Sequence, residues 1–178
     1  MITFHGIRQT NDHLWDEFID TYVASFPIEE QRPVESIERL IEREHRFCAT
    51  SLCSEGCFVG LLTYWRFEEF IYIEHFAIAP SLRSLGHGTD ALKAFISQQS
   101  LPVILEAEPP TEEMALRRVR FYERNGFTLY HYDYYQPPYA PDRQGIPLRL
   151  MGTRPEDYTF SALVARTLHR EVYAFEPI

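Results

Sequence analysis

Residues 70–96, FIYIEHFAIAPSLRSLGHGTDALKAFI, constrain the fold of this chain more than any other stretch. The run Phe70 to Ile78 is apolar, β-branched and aromatic, and reads as a strand. Ala79-Pro80-Ser81 turns the chain. Arg83-Ser84-Leu85-Gly86-His87-Gly88 follows, and then an amphipathic segment carries Leu92, Phe95 and Ile96 on one face. A strand, a glycine-bearing loop and a helix in this order build an anion site. The first-turn amides of a helix have no partner within it, and its dipole favours negative charge in front of it. Glycine lets a phosphate group approach the backbone closely.

The rest of the chain supplies the frame. Ile2 to Arg8 reads as a first strand. Asn11 or Asp12 caps a helix with Leu14, Phe18, Tyr22 and Phe26 at a four-residue spacing, stopped by Pro27. Pro33 opens a second helix with Val34, Ile37, Leu40 and Ile41 inward. Residues 46–53 and 57–66 are strands joined at Ser54-Glu55-Gly56, a hairpin signal, and 70–79 follows after a short turn. A helix over 87–99 leads to a strand over 101–106. Thr111 to Asn125 is a helix closed by Gly126. Phe127 to Tyr135 is read as one strand, 136–145 as a proline-rich loop, 147–151 as a last strand and 158–173 as a C-terminal helix. Three antiparallel strands in series followed by a crossover helix predict an α/β chain with a mixed sheet, not a doubly wound one.

Charge and cysteine usage narrow the function. The net charge of −9, with Lys93 the single lysine, argues against nucleic acid as a partner and suits either a cationic substrate or simple solubility. No apolar run reaches the roughly 18 residues that a membrane-spanning helix needs. The N-terminal segment lacks the pattern of a signal peptide, so a cytoplasmic location is expected. Cys48, Cys53 and Cys57 contain no CxxC pair and read as buried free thiols. The dinucleotide reading of the glycine loop is poor, because Ala91 stands at the third glycine and the loop follows antiparallel strands.

The hexapeptide Arg83-x-x-Gly86-x-Gly88 after an apolar strand resembles the acetyl-CoA signature of the GNAT superfamily of N-acetyltransferases. Ile78-Ala79-Pro80 precedes it where that family ends its fourth strand. Phe121-Tyr122-Glu123-Arg124-Asn125-Gly126-Phe127 is similar to the family's second signature. The resemblance implies a GNAT fold: a mixed six- to seven-stranded sheet flanked by helices, in the order β-α-α-β-β-β-α-β-α-β-β plus a C-terminal helix. It covers residues 1–155, leaving 156–178 as a helical extension of the same domain. It implies acetyl-CoA as co-substrate and no metal. The pyrophosphate is expected on Arg83, Ser84, Leu85, Gly86, His87, Gly88 and Thr89, with Arg118 and Asn125 contributing. The pantetheine arm is expected in a splay between the fourth and fifth strands, along Phe76, Ala77 and Ile78. Ser84-Leu85 replaces the family's frequent Gly-Lys pair, Ala115 its asparagine, and Arg118 its usual alanine.

The implied reaction is direct transfer to the primary amine of a small molecule. The resemblance makes Tyr122 the acid for the departing thiolate. Glu74 is expected as the base, because a carboxylate inside an apolar strand is costly unless it faces a cleft or a partner. Alternation puts Glu74 on one face with Tyr72, Phe76 and Ile78, and His75 on the other. Glu30, Glu106 and Tyr135 are expected at the acceptor amine, with Glu29 and Glu108 as rivals. The tyrosines and prolines of 130–141 suit an aromatic wall, a homodimer contact or simple packing. Two other readings stay open: a silent acyl-CoA-binding sensor, and an acetyltransferase acting on protein lysines or N-termini.

Overall fold

The computed structural model describes residues 1–174. The chain divides into two compact units, Met1–Leu101 and Pro102–Ile178. The last four residues of the expected C-terminal extension, 175–178, lie outside the described residues.

The first unit is an antiparallel meander. Strands β1 (Ile2–Ile7), β2 (Phe47–Ser54), β3 (Cys57–Arg66) and β4 (Ile71–Ile78) pair in sequence order. Glu55 and Gly56 take φ of 52° and 80°, the left-handed pair that a two-residue hairpin needs to match strand twist. Helices α1 (Trp15–Ser25) and α2 (Val34–Arg43) are joined by a single 3-10 turn, Ile28–Glu30, and α3 (His87–Ser97) follows β4. Tyr22 and Phe26, at the end of α1, meet His75 of β4 edge-on. On the other face, Phe95 of α3 meets Phe4 and Tyr64. Trp65, Phe18, Tyr22, Leu52, Leu61 and Tyr72 are almost wholly buried, so the meander is covered on both faces. Of the three cysteines only Cys53 is buried. Cys48 is partly exposed and Cys57, at the hairpin, is exposed, which corrects the expectation of three buried thiols.

The second unit carries β5 (Val103–Ala107), α4 (Glu113–Arg124), β6 (Thr128–Leu129), β7 (Tyr134–Gln136), β8 (Ile146–Gly152) and α5 (Tyr158–Thr167). Here β8 pairs antiparallel with β5, β6 and β7. The single strand expected over 127–135 is two strands. Between them, the amides of His131 and Tyr132 donate to the Glu156 carboxylate at 2.8 Å each. Those amides are thereby lost to the ladder. Asp157 caps α5 by accepting from the Phe160 amide at 2.8 Å. The helix expected to run to 173 widens into a π turn over Leu168–Val172.

Candidate functional site

The glycine loop has the geometry of an anion cradle. Pro80–Leu82 forms a short 3-10 turn, and the chain then passes Ser84 at φ 66° and Gly86 at φ 89°. Both are left-handed, and Gly86 takes that conformation without a Cβ penalty. The first helical bond of α3 runs from the Asp90 amide to the Gly86 carbonyl, 3.1 Å. The amides of His87, Gly88 and Thr89 therefore precede the ladder, and among the described residues no side chain caps this helix. Arg83 braces the turn. Its Nε donates to the Ile78 carbonyl (3.1 Å) and its guanidinium to Ser25 Oγ (3.2 Å).

The strand leading into this loop is irregular at the acidic residue. Thr63 pairs with His75 and Tyr64 with Ile73, so Glu74 is an extra residue on β4, a β-bulge. Alternation fails there. Glu74 Oε1 receives Arg32 at 2.6 Å and 3.2 Å, and His75 Nε2 donates to the Glu30 carbonyl at 2.9 Å. Adjacent side chains thus reach the same three-residue segment, which corrects the expectation that His75 faces away from Glu74. The Glu74 side chain is fully buried, and its Oε2 accepts from the Trp65 indole at 2.8 Å. Burial alone raises the Glu74 carboxyl, but the Arg32 guanidinium and the Trp65 bond outweigh it and hold it below the usual carboxylate range. The structure thus gives Glu74 a buried ion pair where the sequence suggested a cleft-facing base.

His75 is equally constrained. A carbonyl only accepts, so Nε2 carries the proton and Nδ1 accepts from Thr63 Oγ1 at 3.1 Å. Burial holds the imidazole below its ordinary pKa, and it is neutral. The Tyr22 hydroxyl accepts from the Arg32 amide at 2.6 Å and lies 3.3 Å from His75 Nε2. Glu30, expected at the acceptor amine, contributes its backbone carbonyl to this network.

In the second unit, Tyr122 sits on α4 with 8% exposure, its ring against Phe121 and Phe127. Gly126, at φ 92°, ends the helix by donating to the Glu123 carbonyl. Asn125 Nδ2 donates to the Phe121 carbonyl at 2.8 Å, and its buried Oδ1 has no hydrogen-bond partner among the described residues. Arg118 forms an ion pair with Glu108 on a partly exposed surface.

Glu106 of β5 is held by two phenols. The Tyr134 hydroxyl donates to Oε1 and the Tyr173 hydroxyl to Oε2 at 2.7 Å. Tyr139 stacks obliquely on Tyr173, ring centroids 5.0 Å apart. Burial and the adjacent Glu106 carboxylate raise Tyr134 well above the ordinary phenol pKa, so it stays a donor. Tyr135, the expected acceptor residue, is 42% exposed, and its ring packs on His169. Tyr134 belongs to the tyrosine group of 130–141 for which an aromatic wall is one expectation, whereas Tyr173 is not expected here. Alternation along 134–135 marks one of that pair as inward, whereas nothing local marks Tyr173.

A family model for the acetyltransferase (GNAT) family matches residues 11–127. No curated protein matches the chain. Among solved structures, one assigned to the GNAT family of acetyltransferases, from Bacteroides thetaiotaomicron, is 36% identical, with a TM-score of 0.93 over 98% of this chain and 99% of that one. A Bacillus subtilis acetyltransferase in complex with CoA is 13% identical, TM-score 0.59, covering 88% of this chain and all of that one. A GNAT family acetyltransferase from Elizabethkingia anophelis with acetyl-CoA bound is also 13% identical, TM-score 0.59, covering 86% and 98%. The last two likenesses concern the fold: an α/β architecture with a mixed sheet of seven to eight strands flanked by five helices.

Proposed function

The chain belongs to the GNAT family of acetyltransferases, and on that premise we propose that it moves the acetyl group of acetyl-CoA to the primary amine of a small cationic molecule. The observation that carries the acceptor class is Glu106. A carboxylate held by two phenol donors and flanked by tyrosine rings offers charge and π-faces together, the chemistry that recognises an alkylammonium. The net charge of −9 favours approach of a cation.

The donor half of the reaction rests on the glycine loop. Its residues fit a pyrophosphate: three amides precede the helical ladder, two left-handed residues shape the turn, and among the described residues no side chain caps the helix. Arg83 acts by holding the loop to Ile78 and Ser25. The orphan acceptor Asn125 Oδ1 suits a donor brought by the acyl carrier.

In the transfer itself the bound alkylammonium first gives up a proton to water, and the neutral amine then attacks the thioester carbonyl carbon. The carbon–nitrogen bond forms, the carbon–sulfur bond breaks, and the thiolate leaves. Tyr122 supplies the proton the thiolate takes up, and the proton lost by the amine passes to water. Glu74 acts as a positioning residue: its ion pair with Arg32 fixes segment 30–32 and leaves its carboxylate a weak base.

The test is acetyl-CoA turnover, followed as free thiol release against a panel of small amines. Acceptor-dependent release with at least one alkylamine, much reduced in Tyr122→Phe while acetyl-CoA binding persists, is the expected result. Saturable acetyl-CoA binding with no acceptor-dependent release from any amine overturns the proposal.

A further inference from the structure

A separate cluster lies at the start of the chain. His5 is on β1, and Asp12 and His13 are in the turn that opens α1. His5 Nε2 lies 2.9 Å from Asp12 Oδ2 and 3.1 Å from Oδ1. His13 Nδ1 lies 3.4 Å from Asp12 Oδ1. The three ligand atoms are within 4.8 Å of one another. The Leu14 amide donates to Asp12 Oδ1 at 3.0 Å and fixes the carboxylate's direction.

We propose that His5, Asp12 and His13 bind one divalent transition-metal ion of the zinc class, joining β1 to the turn that opens α1. Four-coordinate zinc, with bonds of about 2.0–2.1 Å, sets neighbouring ligand atoms roughly 3.3–3.4 Å apart. The two histidine–carboxylate separations lie within a few tenths of an ångström of that spacing, and the two imidazole nitrogens, within 4.8 Å of each other, close to it by rotation of the exposed His13 side chain. Two imidazoles with one carboxylate suit zinc, copper and nickel, whereas calcium and magnesium prefer oxygen ligands alone.

His13 separates a metal site from a plain His5–Asp12 ion pair. Its side chain is 74% exposed, so packing does not dictate its direction, yet its Nδ1 turns toward the carboxylate already engaged by His5. The His5 and His13 rings stand edge-on, 5.0 Å apart. Exposure of His13 leaves a fourth position to water. The Leu14 amide serves as the outer bond that orients a ligating carboxylate.

The experiment uses the full chain without an affinity tag, because tag histidines bind the same ions. Zinc is titrated calorimetrically at pH 7.5, and cobalt is added in parallel to read ligand geometry from its visible spectrum. One zinc per chain is expected, with a melting temperature that rises with zinc concentration. His13→Ala should weaken zinc binding by at least about tenfold, since one of three protein ligands is lost. The metal-free melting temperature of that variant should equal the wild type's, because the side chain is exposed. His5→Ala should weaken zinc binding similarly. Absence of stoichiometric zinc binding, or affinity unchanged in both variants, overturns the proposal. None of these readouts depends on acetyl transfer.

Discussion

Glu74 and His75 are consecutive residues of β4, yet both reach segment 30–32: Glu74 through the Arg32 side chain and His75 through the Glu30 carbonyl. The bulge at Glu74 makes this geometry. It turns two adjacent polar side chains onto the loop that follows α1 and ties that loop to the strand entering the glycine cradle. The network is closed by Thr63, Tyr22 and Trp65, so each buried polar atom in it has a partner.

Glu74→Gln should therefore act mainly on stability. The substitution keeps an acceptor for Trp65 but leaves Arg32, whose side chain is 11% exposed, without its counter-charge. Removing one partner of a buried pair costs about 3–5 kcal/mol, and the amide's residual hydrogen bonding should bring the loss to the lower end. Urea unfolding at pH 7 measures it. A change below about 0.5 kcal/mol, the level of an ordinary surface substitution, contradicts a structural role for the pair.

The same two residues set a pH dependence with a definite sign. Both fold with a depressed pKa, His75 below 6.5 and Glu74 below 4.5. In each case the unfolded chain binds more protons below the ordinary value, so stability is full above it and falls with falling pH. The neutral His75 contributes a loss that begins below pH 6.5, where His169, also depressed by burial, adds to it. Glu74 contributes a second loss below pH 4.5. Unfolding free energies from pH 8 to 4 should show both slopes. His75→Phe should flatten the upper one, and Glu74→Gln the lower one.

Gly152 and Tyr130 give a coupled pair in the second unit. A Cβ on Gly152 comes 2.1 Å from the Tyr130 hydroxyl oxygen and 2.7 Å from Ile104 Cδ1. The Tyr130 hydroxyl also donates to the Arg154 carbonyl at 2.9 Å, which holds it in place. Gly152→Ala should destabilise by about 1–3 kcal/mol through overpacking. Tyr130→Phe removes the atom in closest conflict, so the double variant should be less destabilised than the sum of the two singles. Strict additivity in denaturant unfolding would place the clash elsewhere.

How much of this was legible in the sequence depended on range. The hairpin at Glu55-Gly56, the helix stop at Gly126 and the turn at Gly86 are local, set by residues that tolerate positive φ, and all three stand where the sequence puts them. The bulge was not legible, because it is a relation between β4 and the register of β3. The break in 127–135 depends on Glu156, which captures the amides of His131 and Tyr132 from more than twenty residues away. For the same reason Tyr173, beyond the π turn, gave no local sign that its hydroxyl meets Glu106. Glu74 read as anomalous from its apolar surroundings alone. What the anomaly meant required Arg32, 42 positions earlier in the chain.

Gly86→Ala probes the cradle without filling it. No heavy atom lies within 4 Å of the added Cβ, so the cost is conformational: alanine at φ 89° pays roughly 1–2 kcal/mol. The loop should relax away from the left-handed turn and carry the amides of His87 and Gly88 with it. Acetyl-CoA affinity, measured by calorimetry, should fall at least several-fold, while the amine's KM stays unchanged at saturating acetyl-CoA. Intact acetyl-CoA affinity would show that the turn at Gly86 does not shape the phosphate site.

Glu106→Gln tests the acceptor assignment from the other direction. The substitution preserves size, leaves one of the two phenols an acceptor oxygen and gives the other an N–H to accept from by turning its hydroxyl, but it removes the charge. A charge-assisted contact contributes about 1.5–3 kcal/mol, so KM for a cationic amine should rise by roughly 10- to 150-fold. Acetyl-CoA affinity should be unaffected, and the melting temperature should change little, because both phenols keep a partner. Tyr134→Phe leaves the charge in place and should raise KM less than Glu106→Gln does. If Glu106→Gln raises the KM of a neutral, hydroxyl-bearing acceptor as much as that of an alkylammonium, the carboxylate does not read charge. If neither KM moves, Glu106 is a structural anchor for Tyr134 and Tyr173, and the amine is held elsewhere.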